Sequence, residues 1–183
     1  KMSPTTIYLT IFVICIALSA FFAVVEAGFL SLQKSRLRHL VKSGAAGAAE
    51  AEQVMREPGK LLATVLFGND LVNTVAGVVG SALAVYLLGE GPGVIMATLV
   101  ITALVLIVGD VIPKTFANIH SEWVALLLAR PVLLLEGWLS PIVNALSKIG
   151  LCIARAFGGP ATPQGTISEA EIDTMVSLGA EQG

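Results

Sequence analysis

The 183-residue chain is 55% hydrophobic and only 13% charged, and its mean hydropathy of +0.84 is too apolar for a soluble domain. It reads as an integral membrane protein. Net charge is −2, and the sequence holds no Gly-rich phosphate loop, nucleophile elbow or histidine metal motif, so neither an enzyme nor a nucleic-acid partner is expected. His39 and His120 stand alone, and Cys15 and Cys152 sit singly in apolar surroundings, which suits small core or lipid-facing residues better than a disulfide or soft-metal site.

Of the eleven Lys and Arg residues none falls between Lys60 and Lys114, which leaves two basic blocks, 34 to 60 and 114 to 155. The positive-inside tendency puts both blocks in the cytoplasm, so the stretch between them must leave and return. The first span runs from Ile7 to about Leu32, enough for roughly 30 Å of hydrocarbon at about 1.5 Å per residue. Lys34, Arg36, Arg38 and Lys42 follow it, which places the N-terminus outside. The run is too long for a cleavable signal peptide and is led by no basic region beyond Lys1. Ser19 and Glu26, seven residues apart, share one helical face. A glutamate at that depth needs a partner or a cavity; the serine has the plainer option of bonding back to its own helix.

Residues 37 to 57 read as two short interfacial or cytosolic helices parted at Ser43-Gly44. Pro58 suits the first turn of the next helix, which extends to about Leu88. Within it lies Gly68-Asn69-Asp70-Leu71-Val72-Asn73, with Asn69 and Asn73 on one face and Asp70 beside it. Interhelical hydrogen bonding would account for the amides, less readily for the carboxylate. Ala76, Gly80 and Ala84, with Gly77 and Ser81 adjoining, form a small-residue ridge that lets another helix approach closely, either within the chain or between subunits.

Gly89 to Gly93 makes an outside turn, and the third span, Val94 to Ile112, ends on Gly109-Asp110-Val111-Ile112-Pro113-Lys114. Proline cannot donate to the carbonyl four residues earlier, so Pro113 frees the oxygen of Gly109 beside the Asp110 carboxylate. Oxygens converging inside a membrane suggest a hard-cation site. The alternative is a kinked helix in which Asp110 pairs with Lys114 one turn on. Residues 123 to 153 resemble a fourth span in hydropathy, but Arg130-Pro131, Glu136, Pro141 and Lys148 interrupt them, and a crossing would defy the basic bias. One helix or a pair lying along the inner leaflet is expected there. Past a Gly/Pro linker at 158 to 165, Ser168 and Glu171 form a capping box, and the helix they start is expected to be the beginning of a truncated cytoplasmic region.

Leu18-Ser19-Ala20-Phe21-Phe22 with Glu26, Gly68-Asn69-Asp70-Leu71-Val72-Asn73, and Gly109-Asp110-Val111-Ile112-Pro113-Lys114, in this order and spacing, resemble the transmembrane domain of the CNNM/CorC magnesium transporters over about residues 5 to 157. Asp110 stands where many members have Glu, and Ala23-Val24-Val25 where some have Ser-Gly-Ser. The resemblance implies an all-α homodimer with three transmembrane helices per chain and cytoplasmic-side juxtamembrane helices, including a belt over about 123 to 153. Residues 158 to 183 would be the linker and start of an acidic helical region that leads, in the family, to ATP-binding CBS domains absent from this chain. It further implies a Mg2+ site at the irregular turn of the third span. Ser19, Asn69, Asn73, Asp110 and carbonyls near Gly109 and Pro113 are the candidate ligands; Glu26, Asp70 and Lys114 are candidates for a coupling cation such as Na+ or for outer hydrogen bonds. Two functions fit: Mg2+ transport across a prokaryotic inner or plasma membrane, or a membrane sensor that binds the ion and regulates another transporter.

Overall fold

The computed structural model describes residues 3–89 and 91–156. Every element among them is helical: α1 (Pro4–Ser31), α2 (Lys34–Lys42), α3 (Ala48–Arg56), α4 (Pro58–Leu88), α5 (Pro92–Leu106), a π-helical turn (Ile107–Val111), α6 (Ile112–Ile119) and α7 (Ser121–Ala156). Local chemistry accounts for the boundaries. The Ser3 hydroxyl accepts from the Thr6 N–H ahead of Pro4, and Pro58 and Pro92 open α4 and α5, where a missing N–H costs nothing. Gly44, at φ 70°, follows α2, and Gly89, at φ 73°, ends α4; both occupy backbone space that other residues avoid. The two short helices expected between 37 and 57 are α2 and α3. The capping box at Ser168 and Glu171 lies outside the described residues.

Residues 1–140 form one compact unit. Its core has two main parts along α1. Toward the basic segment, Phe22, Val25, Phe29 and Leu32 pack with Leu37, Ala51, Val54, Leu61, Val65 and, from α7, Ala125, Ala129 and Val132. Toward the other end, Phe12 and Cys15 pack with Ala76 and Val105, which makes Cys15 the small core residue expected. The ridge of Ala76, Gly80 and Ala84 is buried within the chain, and a side chain at Gly80 would meet Ile101 and Phe12. That seam therefore serves the chain's own α1 and α5. Gly77, round the helix from it, faces open space.

Among the described residues, four helical stretches have the length and apolarity to cross a membrane: Pro4–Ser31, Pro58–Leu88, Pro92–Ile119 and Ser121–Gly150. The chain is thus a multi-pass membrane protein by composition and fold, helical throughout its described elements. Arg130-Pro131 and Pro141 do not divide the last segment into a pair; α7 continues through both. Each proline removes one backbone bond, a loss that a helix of 36 residues absorbs. Residues from 141 onward belong to a second unit, whose described part carries Ile142, Leu146, Ile149 and Ile153 exposed along one helical face.

Candidate metal centre

Ser19 is fully buried on α1, and its hydroxyl does not bond back to its own helix. Oγ lies 2.7 Å from Asn73 Oδ1, 3.1 Å from the Gly109 carbonyl oxygen and 3.3 Å from Asn69 Oδ1. A hydroxyl has one proton to give. The short contact assigns it to Asn73, and Asn69 Oδ1 accepts a weak bond from Asn73 Nδ2 at 3.4 Å. The Gly109 oxygen therefore faces the serine without a proton of its own from that side. With the amides turned this way, three acceptor oxygens converge on one hydroxyl, an arrangement a cation could share.

Three segments build this cluster. Asn69 and Asn73 stand one turn apart on α4, on the side toward α1. Gly68 allows the approach, because a side chain there would collide with the Phe22 ring. Opposite them, the π-turn widens the third helix: the Ile112 N–H reaches Ile107 O, five residues back, and Pro113 has no N–H to offer Gly109. A Cβ on Gly109 would stand 3.0 Å from Ser19 Oγ, so only glycine brings its carbonyl this near. The freed oxygen read from Pro113 is thus at the centre. The contacts made by the cluster involve the Gly109 carbonyl and not that of Pro113.

The acids are arranged separately. Lys114 Nζ lies 3.0 Å from Asp110 Oδ1 and 3.1 Å from Glu26 Oε2, so the Asp110–Lys114 pair forms and Glu26 joins it. Both of those carboxylate oxygens are buried and have no hydrogen bond other than this ionic contact. The triad carries a formal charge of −1 when all three are ionised. Asp70 belongs to neither group: it is exposed on α4, and its backbone oxygen accepts from the Thr74 hydroxyl at 2.7 Å. Among the described residues no group of three or more His, Cys, Asp and Glu gathers as a metal cluster. The cluster offers hydroxyl, amide and carbonyl oxygens, a donor set for a hard cation rather than a soft metal.

Sequence reasoning passed over the buried Thr64 and took Glu136 only as an interruption of the last apolar segment. Glu136, 5% exposed, and Thr64 each keep a side-chain oxygen without a hydrogen-bond partner. Glu136 stands among the charges of Lys60 and Glu57. Its position could have been found from the stripe Ala125, Ala129, Val132 and Glu136, which repeats at helical spacing on the buried side of α7. At the polar end, Arg36 Nε pairs with Glu122 at 2.6 Å and Arg130 Nε with Glu50 at 2.7 Å. The hydrogen bond from Arg130 holds the Glu50 carboxyl below its ordinary range.

Comparison with known proteins places this geometry in context. The cyclin M (CNNM) transmembrane N-terminal domain family matches residues 10–183. The UPF0053 inner membrane protein YfjD of Escherichia coli (strain K12) is 35% identical over 161 residues, which cover 87% of this chain and 37% of that protein. A UPF0053 protein of Haemophilus influenzae is 38% identical over 122 residues, covering 67% of this chain and 29% of its own length. The UPF0053 protein sll0260 of Synechocystis is 29% identical over 183 residues, 93% of this chain and 41% of that protein. The chain spans well under half the length of these relatives.

Proposed function

The chain belongs to the CNNM transmembrane-domain family, and from that premise we propose that it moves Mg2+ across the membrane through the cluster at Ser19. The observation that carries the reading is one hydroxyl proton facing three oxygens, at 2.7 to 3.3 Å, inside an apolar helix bundle. Mg2+ takes hard oxygens in near-octahedral geometry at about 2.0–2.1 Å and sheds water reluctantly. Ser19 Oγ, Asn69 Oδ1, Asn73 Oδ1 and the Gly109 carbonyl replace part of its shell, and Asp110 supplies the charge. An amide can present oxygen or nitrogen by turning over; a cation selects the oxygen-inward orientation. The ion is cargo here, held by groups from three segments that move relative to one another during transport.

Three spans, with α7 lying along the cytoplasmic surface and the N-terminus outside, form part of the same proposal. Support comes from the partners of α7. Glu122 meets Arg36, Arg130 meets Glu50, and Glu136 feels Lys60 and Glu57, all from the segment between α1 and the first turn of α4. Residues 122 to 136 cover about 21 Å of helix at about 1.5 Å per residue. A helix along the membrane normal would carry Glu136 that far from the polar end. The basic bias points the same way. Single cysteines at 91 and 168, in a background lacking Cys15 and Cys152, report the topology to an impermeant thiol reagent in intact cells. Labelling at 91 and protection at 168 are expected; the reverse would overturn it.

A prokaryotic inner-membrane location, a homodimer, coupling to Na+ and ATP control through CBS domains beyond this chain complete the proposal and rest on family resemblance, with the inner membrane also in the printed name of the Escherichia coli relative. The test is Mg2+ flux in liposomes containing the full-length protein, with and without a sodium gradient. Flux that depends on the gradient is expected. Retained Mg2+ binding without flux under either condition would replace transport with the sensor function.

A further inference from the structure

Lys114 does something the proposed transport reaction does not itself require. Its ammonium is divided almost evenly between two carboxylate oxygens, 3.0 Å from Asp110 and 3.1 Å from Glu26, and each is buried with no hydrogen bond to replace it. The two acids are not equivalent. Asp110 follows Gly109 directly, and the Gly109 carbonyl touches Ser19; Glu26 stands two turns from Ser19 along α1, about 10 Å by helix rise. By position in the chain, the lysine therefore bridges the carboxylate of the residue next to Gly109 and that of a residue two helical turns beyond Ser19. We propose that Lys114 is a tethered competitor of the transported cation: it occupies Asp110 when the metal is absent and withdraws to Glu26 when the metal arrives. The inference rests on the reading of Asp110 and the Ser19 cluster as the Mg2+ site.

The physical case is one of charge and reach. A metal ion and an ammonium repel at the separations a shared carboxylate would impose, so one must yield. Lysine is a compact charge on a flexible four-carbon stem, able to move a few ångströms while α6 stays fixed. It needs somewhere to go, because an unpaired ammonium in this environment is costly. Glu26 is that place, already in contact. The exchange also discriminates by valence. A monovalent ion that displaces the ammonium from Asp110 gains no net charge at the carboxylate, whereas a divalent ion gains one. Lys114 would thus hold the site closed against Na+ while leaving it open to Mg2+, and Glu26, though no ligand, would set the affinity by receiving the lysine.

The test is a double-mutant cycle read by Mg2+ calorimetry, with helical content and metal-free thermal stability checked for every variant. If the ammonium leaves Asp110 free about one-tenth of the time, removing it tightens apparent binding about tenfold. Lys114→Met should therefore bind Mg2+ more tightly and show new competition by Na+. Glu26→Gln should bind more weakly, because the lysine is left with Asp110 alone. In the double variant the effect of Glu26→Gln should disappear. An equal weakening by Glu26→Gln in both backgrounds would mean that Glu26 acts by its own charge or as a ligand, and would overturn the proposal, as would unchanged or weaker binding in a folded Lys114→Met. Lys114→Arg provides the check that does not depend on tolerance of a lost charge. It keeps both ion pairs but holds them with a planar fork that lets go less readily, so Mg2+ binding should weaken; unchanged affinity would again count against competition. Absence of Mg2+ binding by the parent protein would remove the site itself and the lysine's role with it, whereas parental binding with an additive cycle would remove only the latter.

Discussion

Two polar groups lie on either side of the Gly109–Asp110 peptide, and they solve opposite problems. Around Ser19, neutral oxygens from α4 and the π-turn converge on a single hydroxyl proton. Around Lys114, two carboxylates already have a cation. A buried charge with its own partner can persist without a ligand, while a knot of converging acceptors gains most when a cation enters. The contrast shows why the carboxylates alone do not locate the site. They mark where charge is stored, and in the proposed transport the hydroxyl, amides and carbonyl would be where an ion is stripped of water.

The contrast is broken most severely by Asp110→Asn, which keeps the shape and removes the carboxylate next in sequence to Gly109. Mg2+ affinity measured by calorimetry should fall on the order of a hundredfold; an unchanged dissociation constant would confine Asp110 to the triad. Asn73→Leu attacks the other group, deleting the oxygen that takes the serine proton. A loss of some tens of fold is expected, with Lys114 still paired to both acids. Equal affinity would show that the neutral oxygens do not hold the ion.

Pro113→Ala sharpens the boundary between the groups. Alanine is the better helix former by about 3 kcal/mol and restores an N–H that can reach the Gly109 carbonyl. The variant should fold and keep its oligomeric state, while Mg2+ binding weakens about tenfold, within the range of a modest coupling. Wild-type binding would reduce the proline to a bend. The smallest effect belongs to an ion pair outside both groups. Glu50, paired with Arg130 at the exposed polar end, has its folded-state proton affinity lowered. Its contribution to stability is therefore present above its ordinary pKa of 4.5 and is lost as pH falls through the lower folded value. Glu50→Gln should shift the melting temperature only slightly at neutral pH, and the gap between variant and parent should close in acid. A large shift would show this rim to be as consequential as the half-buried triad.

Much of this arrangement is legible in the residues. The helix starts at Pro58 and near Pro92, the break at Ser43-Gly44, the shared face of Asn69 and Asn73, and the freed carbonyl of Gly109 all follow from chemistry within a few positions. What was hidden depends on which face meets which. Nothing local tells that Lys114 reaches across to Glu26, that Asp70 looks outward while its amide neighbours look in, or that the small-residue ridge is filled by Phe12 and Ile101 of the same chain. The continuity of α7 was hidden for another reason. Proline weakens a helix by an amount that packing by Ala125, Ala129 and Val132 offsets, and that packing is not visible from the proline.

The π-turn also has an arithmetic of its own. It is one residue of surplus in an otherwise regular helix, and a helix turns about 100° with each residue. The widened turn takes up that residue within a single turn, so α5 and α6 keep the phase of a helix one residue shorter. Deleting any single residue from 107 to 110 would therefore leave Lys114 on the face that meets Glu26 and shorten the third span by at most about 1.5 Å. The membrane would accept such a protein and the helices would still pack, but the ladder of backbone bonds would close up where it now stands open. What the surplus residue stores is a gap, and that gap lets one helix turn a backbone oxygen toward Ser19 without turning its ammonium away from Glu26.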